Sequence, residues 1–374
     1  MKRKLLFIQV LLSLVPLLNG QNYYHDSFIT ILDKVYPKSK SYPEFNGIFY
    51  REQYYTKDSA LNEFICLTSG DLTCEMEIDS SIIKSTLNRK YSYFNLVESF
   101  PVELLYYLKD SIVSFQTMQY YLPVIDTIIS KMDNLTFLKI WGKNNKKTQI
   151  SKWNSPLFFL YLDGCELPSN IDVNQFDRTL KILMIEARKV KKNCILDFSN
   201  LKQLEYFSFQ NGSRTSQYSI IFPPNVKYLR YYVDYNRNAI QFPESTEMLF
   251  LEIENKKYNV KSFNNLTKLK FLSIEPSYKY FYKNDYIPLP KEVTQLKSLQ
   301  TLRIYYLTDE NIDIISQISH LKNLQIIDQK EIPLNIYKLV NIENIEFPYG
   351  TSESIIQSFR KVLPNVKITL FRYY

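Results

Sequence analysis

Few residues in this chain could do acid–base or nucleophilic chemistry. Among 374 residues there are only two histidines, His25 and His320, so a histidine-activated nucleophile or a histidine metal centre has little to build on. His25 lies near the N-terminus, and His320 falls in a segment that the sequence assigns to a solvated loop. The chain has only seven glycines, which argues against a glycine-rich phosphate loop. We therefore expect no enzymatic activity, no metal site and no cofactor.

The four cysteines do not have the two-residue spacing of a zinc site. Cys66 and Cys74 lie close together in the chain, and in an oxidising compartment they could close a short loop through a disulfide. Two free thiols are the alternative. Cys165 is better explained by the repeat pattern described below.

The first 20 residues have the features of a secretory signal. Basic residues at positions 2–4 precede an apolar run from Leu5 to Leu18, and the small residue Gly20 precedes the expected cleavage point. The run is short for a membrane-spanning helix, which needs about 20 residues. We expect a secreted or cell-surface protein without a membrane span in the mature chain. An uncleaved anchor or a buried helix is the alternative.

The charge balance does not favour a nucleic-acid partner. The formal net charge is +8, and the short basic clusters around Lys146 and Lys191 do not extend into a long basic stripe. Solvated loops explain these clusters better.

A spaced apolar motif recurs along most of the chain. Its clearest copy is Leu157-Phe-Phe-Leu160-Tyr-Leu162-Asp-Gly-Cys165-Glu-Leu167, with apolar residues at relative positions 1, 4, 6 and 11 and cysteine at 9. This segment resembles the leucine-rich repeat signature residue for residue. The first positions of successive copies lie 18 to 30 residues apart, mostly within the family range of about 20–29.

We assign positions 1, 4 and 6 in each copy. The copies are Leu135, Leu138, Ile140; Leu157, Leu160, Leu162; Leu180, Leu183, Ile185; Leu204, Phe207, Phe209; Val226, Leu229, Tyr231; Met248, Leu251, Ile253; Leu269, Leu272, Ile274; Leu299, Leu302, Ile304; Leu324, Ile327, Gln329; and Ile342, Ile345, Phe347, with weaker copies at Ile112, Phe115, Thr117 and at Val366, Thr369, Phe371.

The resemblance implies an α/β solenoid, a leucine-rich repeat horseshoe with a parallel β-sheet on its concave side. We expect a capping region over residues 21–108, without repeats, and a solenoid over 109–374 that ends in a closing unit at about 352–374. Proline-led return segments indicate a mixture of bacterial and plant-like repeat subtypes. The family usually has asparagine at position 9, and most copies here have another residue, so we expect an incomplete hydrogen-bonded ladder.

Alternation along a strand makes positions 3, 5 and 7 point away from the core. Position 3 is mostly aromatic, and we expect an exposed aromatic column there whose centre lies around Tyr228. Such a stripe marks an interaction surface, although aromatic residues also suit strands for packing reasons alone. The candidate ligand-binding residues are Phe137, Trp141, Phe159, Tyr161, Tyr206, Tyr228, Arg230, Tyr232, Phe250 and Phe271.

Two further features could modify the surface. The long spacing between Leu269 and Leu299 contains an aromatic segment from Tyr278 to Tyr286, which could extend a binding rim or fold back onto the solenoid. Three N-x-S/T sequons begin at Asn134, Asn211 and Asn265, and they are glycosylation sites only in a eukaryotic secretory pathway.

The sequence thus favours an exported, non-enzymatic scaffold for protein–protein recognition. A carbohydrate-binding surface protein that stacks its aromatic rings on sugars is one alternative, and a purely structural envelope protein is another.

Overall fold

The computed structural model describes the chain from Tyr93 to Phe371, with gaps. The described residues are 93–96, 109–110, 114–118, 122–142, 152–168, 171–212, 217–233, 240–253, 263–276 and 287–371. The signal segment, Cys66, Cys74 and the segment Tyr278–Tyr286 lie outside them, as does the expected capping region except for 93–96. The described residues fall into two compact units, one ending at Ser245 and the other beginning at Thr246.

The N-terminal unit contains nine strands and one short helix among its described residues. The strands are β1 Tyr93–Leu96, β2 Ser114–Met118, β3 Phe137–Trp141, β4 Phe159–Leu167, β5 Ile182–Val190, β6 Cys194–Asp197, β7 Tyr206–Asn211, β8 Tyr218–Ile221 and β9 Tyr228–Val233. Helix α1 spans Leu122–Ile129 in the connection between β2 and β3. Seven strands form one parallel sheet in the order β1-β2-β3-β4-β5-β7-β9.

The register of this sheet confirms the repeat frame over the N-terminal unit. Leu138, Leu160 and Leu183 are direct partners on successive strands, and the predicted positions 4 and 6 stay aligned through β9. The side chains at these positions on β3 to β9 are at most 2% exposed. Each strand alone would expose its apolar row, so the stack of repeats creates the core.

One strand lies before the first predicted repeat. Strand β1 pairs parallel with β2, and Phe94 is the partner of Phe115, which occupies position 4. The repeat register therefore extends to Tyr93, within the segment that the sequence analysis assigned to the capping region.

Aromatic rings fill the core between the strands and the return segments of the N-terminal unit. Phe207, Phe209, Phe222, Tyr231 and Phe242 form a cluster whose neighbouring ring centroids lie 5.7–6.3 Å apart. Strands β6 and β8 form a separate two-stranded parallel sheet in the return segments. Such ring pairs contribute about 0.5–1.5 kcal/mol beyond their buried area.

The C-terminal unit contains six strands and two helices among its described residues. They are β10 Met248–Ile253, β11 Phe271–Pro276, β12 Thr301–Ile304, α2 Asp309–Ile315, β13 Asn323–Ile326, β14 Asn344–Pro348, α3 Glu353–Val362 and β15 Lys367–Phe371. The six strands follow one another in chain order in a parallel sheet. Short 3₁₀ helices at Lys291–Gln295 and Ile336–Lys338 occupy two of the return segments.

Three repeat frames of the C-terminal unit were predicted wrongly, and the third, in the closing strand, is described below. Met248 pairs with Phe271, so Leu249 and Leu251 occupy positions 4 and 6, and the buried Thr246 takes position 1. The prediction had placed Met248 at position 1.

The second wrong frame lies three strands further on, at β13. Leu324 pairs with Leu302 and is therefore at position 4, with Leu321 at position 1 and Ile326 at position 6. The predicted set of Leu324, Ile327 and Gln329 is displaced by three residues. In the corrected frame, Leu299, Leu321 and Ile342 follow one another at spacings of 22 and 21 residues.

Buried amide side chains take over the task of the family's turn asparagine in two return segments. Gln329 is 7% exposed, and its amide accepts from the backbone N–H of Leu307 (2.9 Å) and donates to the carbonyl of the same residue (3.0 Å). Asn311 accepts from the N–H of Leu289 (3.0 Å). Each bond joins neighbouring repeats and satisfies a buried backbone group. His320, which was expected to be a solvated residue, is half-buried and hydrogen-bonds the Leu296 carbonyl (2.6 Å).

The last repeat closes with a helix and a strand, as the sequence predicts. Helix α3 packs Phe359 against Phe347 with a ring-centroid distance of 5.0 Å. Strand β15 aligns Ile368 with Ile345 and Leu370 with Phe347, one residue earlier than the predicted Val366, Thr369, Phe371 set. Leu370 is 42% exposed, whereas Phe347 is fully buried, so the inward column becomes accessible at this strand. Within the described ranges, no helix combines the length and the apolar character that crossing a membrane requires.

Candidate functional site: the ladder face of the sheet

The ladder face is the side of each sheet that carries positions 3, 5 and 7, opposite the apolar core. On the N-terminal unit its position 3 column is aromatic, as predicted, but it is not exposed. Phe159 is fully buried, and Tyr206 and Tyr228 are 5% and 7% exposed. Tyr232, at position 7, is also buried at 5%. The expected exposed aromatic stripe is therefore absent among these residues.

The burial of these rings has a physical reason. Neighbouring strands lie about 4.8 Å apart, and the register places Phe159, Ile182, Tyr206 and Tyr228 directly beside one another. Side chains of this size cover each other across such a distance. The register therefore places these four large side chains in one continuous row on this face of the sheet.

The accessible part of the ladder face lies at positions 5 and 7. Here a group of half-buried side chains, which we name the polar patch, carries both charges and two aromatic rings: Lys139, Trp141, Tyr161, Asp163, Glu186 and Arg230. Strands β3, β4, β5 and β9 supply them. Since the strands are held by the buried core beneath, the patch sits on a rigid base.

Tyr161 and Glu186 form the shortest contact of the polar patch. The Tyr161 hydroxyl donates to Glu186 Oε1 at 2.6 Å. Lys139 Nζ lies 4.6 Å from the centre of the Tyr161 ring and 3.9 Å from Asp163 Oδ2. Asp163 and Glu186 are direct partners across β4 and β5, so two carboxylates lie side by side. Like charges in this arrangement oppose one another.

Burial shifts the titration of these groups. Desolvation raises the pKa of the Glu186 carboxyl, and the Tyr161 hydrogen bond offsets part of the effect. Desolvation also raises the pKa of Asp163, partly offset by Lys139. The pKa of Tyr161 is raised well above its usual range, first by burial and then by the Glu186 charge. The Arg230 charge acts in the opposite direction and lowers the pKa of both Tyr161 and Glu186.

Trp141 lies beside this charge group, as the register partner of Asp163. Its ring is half-buried, and its Nε1 is enclosed without a hydrogen-bond partner among the described residues. Phe137, the other candidate on β3, occupies position 3 as the partner of Phe159.

The C-terminal unit has a different ladder face. Phe250 pairs with Ser273 and so belongs to position 5, where the prediction placed it at position 3. It still meets Phe271, with ring centroids 5.0 Å apart, and both rings are half-buried. This correction follows from the displaced frame of β10.

Arg303 is buried on the ladder face of the C-terminal unit. Its guanidinium lies 5.4 Å from the Phe271 ring and 5.6 Å from the Phe371 ring, and its Nε donates to Gln325 Oε1 at 2.6 Å. Gln325 Nε2 in turn donates to Glu346 Oε2 at 2.7 Å. This chain of contacts crosses β12, β13 and β14 and fixes the side chains that it includes.

Sequence reasoning placed Lys139, Asp163 and Glu186 in the outward columns but did not select them as site residues. The candidate site was chosen mainly from the aromatic residues at position 3. The exposure of a side chain, however, depends on which neighbouring side chains cover it. Cys165 is free and 3% exposed, as the repeat pattern implies, and burial raises the pKa of its thiol to about 12. In the part of the chain that the structure describes, no three metal-ligating side chains lie close enough together to hold a metal ion.

Comparisons with known proteins give little beyond the fold. No protein-family model and no curated protein matches the chain. Among solved structures, a leucine-rich repeat protein of Leptospira interrogans is 15% identical, with 77% of this chain and 97% of that chain covered and a TM-score of 0.27. An internalin of Listeria monocytogenes is also 15% identical, with coverage of 77% and 92% and a TM-score of 0.35.

The strands of each main sheet run parallel and in register, and the mostly apolar residues at positions 4 and 6 face the core. The described part of this chain therefore has a leucine-rich repeat fold.

Proposed function

We propose that this chain is an exported, non-enzymatic recognition scaffold that binds a protein partner on the ladder face of its N-terminal unit. The polar patch is the observation that supports this proposal. It lies at the more accessible positions 5 and 7 of a face whose position 3 rings are buried at Phe159, Tyr206 and Tyr228. It combines Trp141, Tyr161 and Arg230, the residue types that most often dominate binding energy.

The charges of the polar patch define the chemistry of the partner. Asp163 and Glu186 lie side by side, and burial raises the pKa of both, so a cation brought by the partner would relieve their repulsion. Lys139 and Arg230 supply donors for an acidic group beside it. The partner surface therefore carries a basic side chain opposite β4 and β5, with an acidic group as its neighbour.

Charge reversal tests this function. Asp163→Lys places a cation where the partner's basic group is expected, and such like-charge contacts cost several kcal/mol, roughly a hundredfold or more in affinity. The matched control is Lys189→Glu, which reverses an exposed charge on β5 outside the polar patch. Both variants and the unchanged protein are immobilised and incubated with proteins secreted by the source cells.

A partner retained by the unchanged protein and by Lys189→Glu, but lost from Asp163→Lys, supports the proposal. Equal retention by all three contradicts it. Thermal unfolding of each variant shows whether a loss of binding reflects a loss of folding.

The ring pair Phe250–Phe271 favours a second candidate function, which is carbohydrate binding. The two half-buried rings offer an aromatic platform on the C-terminal unit. Retention of an oligosaccharide on a glycan array, abolished by Phe250→Ala and unaffected by Asp163→Lys, would identify this function instead.

A further inference from the structure

We propose that Asn134 is an N-linked glycosylation site and that the sequon at Asn211 is not used in the folded protein. The proposal rests on the export that belongs to the proposed function, and it requires a eukaryotic secretory pathway. The two asparagines have the same sequence motif, but the fold exposes the side chain of Asn134 and buries that of Asn211.

Asn134 lies on the surface of the turn that leads into β3. Its side chain is exposed, and Lys131 and Asp133 beside it are exposed as well. The next residue, Leu135, is fully buried at position 1, so the turn is anchored from one side while the asparagine faces solvent. A bulky hydrophilic group can be placed here without displacing the core.

The hydrogen bonding of Asn134 is compatible with a modified amide. Its Nδ2 donates one hydrogen to the Asp110 carbonyl at 2.7 Å. In the transfer reaction Nδ2 bonds to the anomeric carbon of a lipid-linked oligosaccharide, the bond from that carbon to the diphosphate oxygen breaks, and Nδ2 loses one proton. The lipid diphosphate is the leaving group. The remaining N–H of the glycosylated amide can keep the bond to Asp110.

Asn211 is in the opposite situation. It ends strand β7, pairs with Ala187 on β5 and is only 1% exposed. The next residue, Gly212, donates its N–H to the Ala187 carbonyl at 2.6 Å, so the backbone is also held against the neighbouring strand. Because the Asn211 side chain is buried, the folded protein has no room for a glycan on it. Any molecule modified there during synthesis could not complete the sheet.

Asn265 is intermediate. It lies in the turn before β11, where its side chain is half-buried and its Oδ1 is enclosed. Its backbone carbonyl accepts a hydrogen bond from the Thr267 N–H at 2.9 Å. We expect a smaller modified fraction at Asn265 than at Asn134.

The position of Asn134 also separates the glycan from the polar patch. Asn134 precedes strand β3 by three residues, whereas Trp141 ends the strand. The glycan therefore emerges at the rim where the strands begin, and the polar patch lies toward the end where they finish. Removal of the glycan should leave partner binding unchanged.

The test expresses the full chain in a eukaryotic secretion host and measures the occupancy of each sequon by mass spectrometry. Peptide N-glycosidase in heavy-oxygen water converts a modified asparagine to labelled aspartate. A second arm replaces residues 1–20 with the host's own signal sequence. Failure of export in the first arm alone contradicts the proposed export, and the second arm still tests the glycosylation site.

Modification of Asn134 in most secreted molecules, with Asn211 essentially unmodified, is the expected result. Asn134→Gln should then remove one glycan-sized shift on a gel, while Asn211→Gln removes none. An unmodified Asn134, a modified Asn211 in folded secreted protein, or a higher occupancy at Asn265 than at Asn134 would each overturn the proposal.

Discussion

The side chains of Asp163 and Glu186 work against folding at neutral pH. Burial raises the pKa of each carboxyl, and the Asp163 charge raises that of Glu186 further, so the folded chain keeps its protons to higher pH than the unfolded chain does. Between the ordinary carboxyl pKa and the raised values, the folded state binds more protons. The free energy of unfolding therefore falls as the pH rises through this window, and the loss is complete above it.

Glu186→Gln should raise the stability of the protein at neutral pH. The amide cannot ionise, and its oxygen can still accept the Tyr161 hydroxyl. Denaturant unfolding should show a higher midpoint than the unchanged protein at pH 7, and a difference that shrinks toward pH 4. The control Glu166→Gln removes an exposed carboxylate on β4 that pairs with Arg188 at 3.2 Å, and it should shift stability by less than about 1 kcal/mol. A less stable Glu186→Gln protein at pH 7 would show that the charge is stabilising.

Tyr228 and Leu229 are a second residue-scale comparison, and here the structure changes what the sequence predicts. From alternation alone, Tyr228→Ala should disturb binding with little loss of stability. Tyr228 is only 7% exposed and Leu229 is fully buried, so both truncations should lower stability. We expect about 2–5 kcal/mol for Leu229→Ala and a loss of similar size for Tyr228→Ala, measured by denaturant unfolding. A loss of less than about 0.5 kcal/mol for Tyr228→Ala would show that the ring packs loosely.

At the scale of the element, the return segments depend on buried amides where the family uses asparagine. Gln329→Ala removes both hydrogen bonds to the backbone of Leu307 in the neighbouring repeat. An unsatisfied buried polar group costs about 1–3 kcal/mol, so the variant should lose at least that much stability. Gln317→Ala is the control, because its exposed side chain bonds only the Asp313 carbonyl within the same repeat. Equal effects of the two substitutions in thermal unfolding would contradict the bridging role of Gln329.

The repeat frame of a strand could be predicted only where apolar and polar residues alternate clearly along it. In Leu160-Tyr-Leu162 the polar hydroxyl between two leucines fixes the phase, and the register confirms it. In Met248-Leu249-Phe250-Leu251 every residue is apolar, so a period of two does not say which pair faces the core. The true position 1 of that repeat is Thr246, a polar residue that no apolar pattern selects. The apolar pattern of the sequence therefore could not predict the frame of this repeat.

The polar patch was less predictable than the strands for a related reason. Its residues were placed on the correct face by alternation, because that property is local to a strand. Their exposure depends on neighbours in the adjoining repeats, as in the contact between Tyr161 and Glu186, which are 25 residues apart in sequence. Sequence periodicity carries no information about which of the three outward columns is buried.

At the scale of the whole molecule, several ion pairs among the described residues join one repeat to the next. The ion pairs before the strands show this pattern, with Glu205 between Lys181 (3.4 Å) and Lys227 (2.8 Å), and Lys322 next to Glu343 (2.7 Å). Exposed pairs of this kind contribute little energy individually. These pairs link neighbouring repeats in the stack, and contacts of this kind let stability spread by nearest-neighbour steps.

A core truncation in one unit should therefore loosen nearby repeats more than distant ones. Leu183 is fully buried at position 4 of β5, between Leu160 and Phe207 on the adjoining strands. Leu183→Ala should speed backbone amide exchange in β4, β5 and β7, because the cavity weakens both interfaces of its repeat. Strands β13 and β14 should exchange at nearly unchanged rates, measured by hydrogen–deuterium exchange with mass spectrometry. The reciprocal variant Leu324→Ala, at position 4 of β13, should reverse the pattern. A uniform acceleration in both variants would mean that the chain unfolds as one cooperative block, and the nearest-neighbour description would then be wrong.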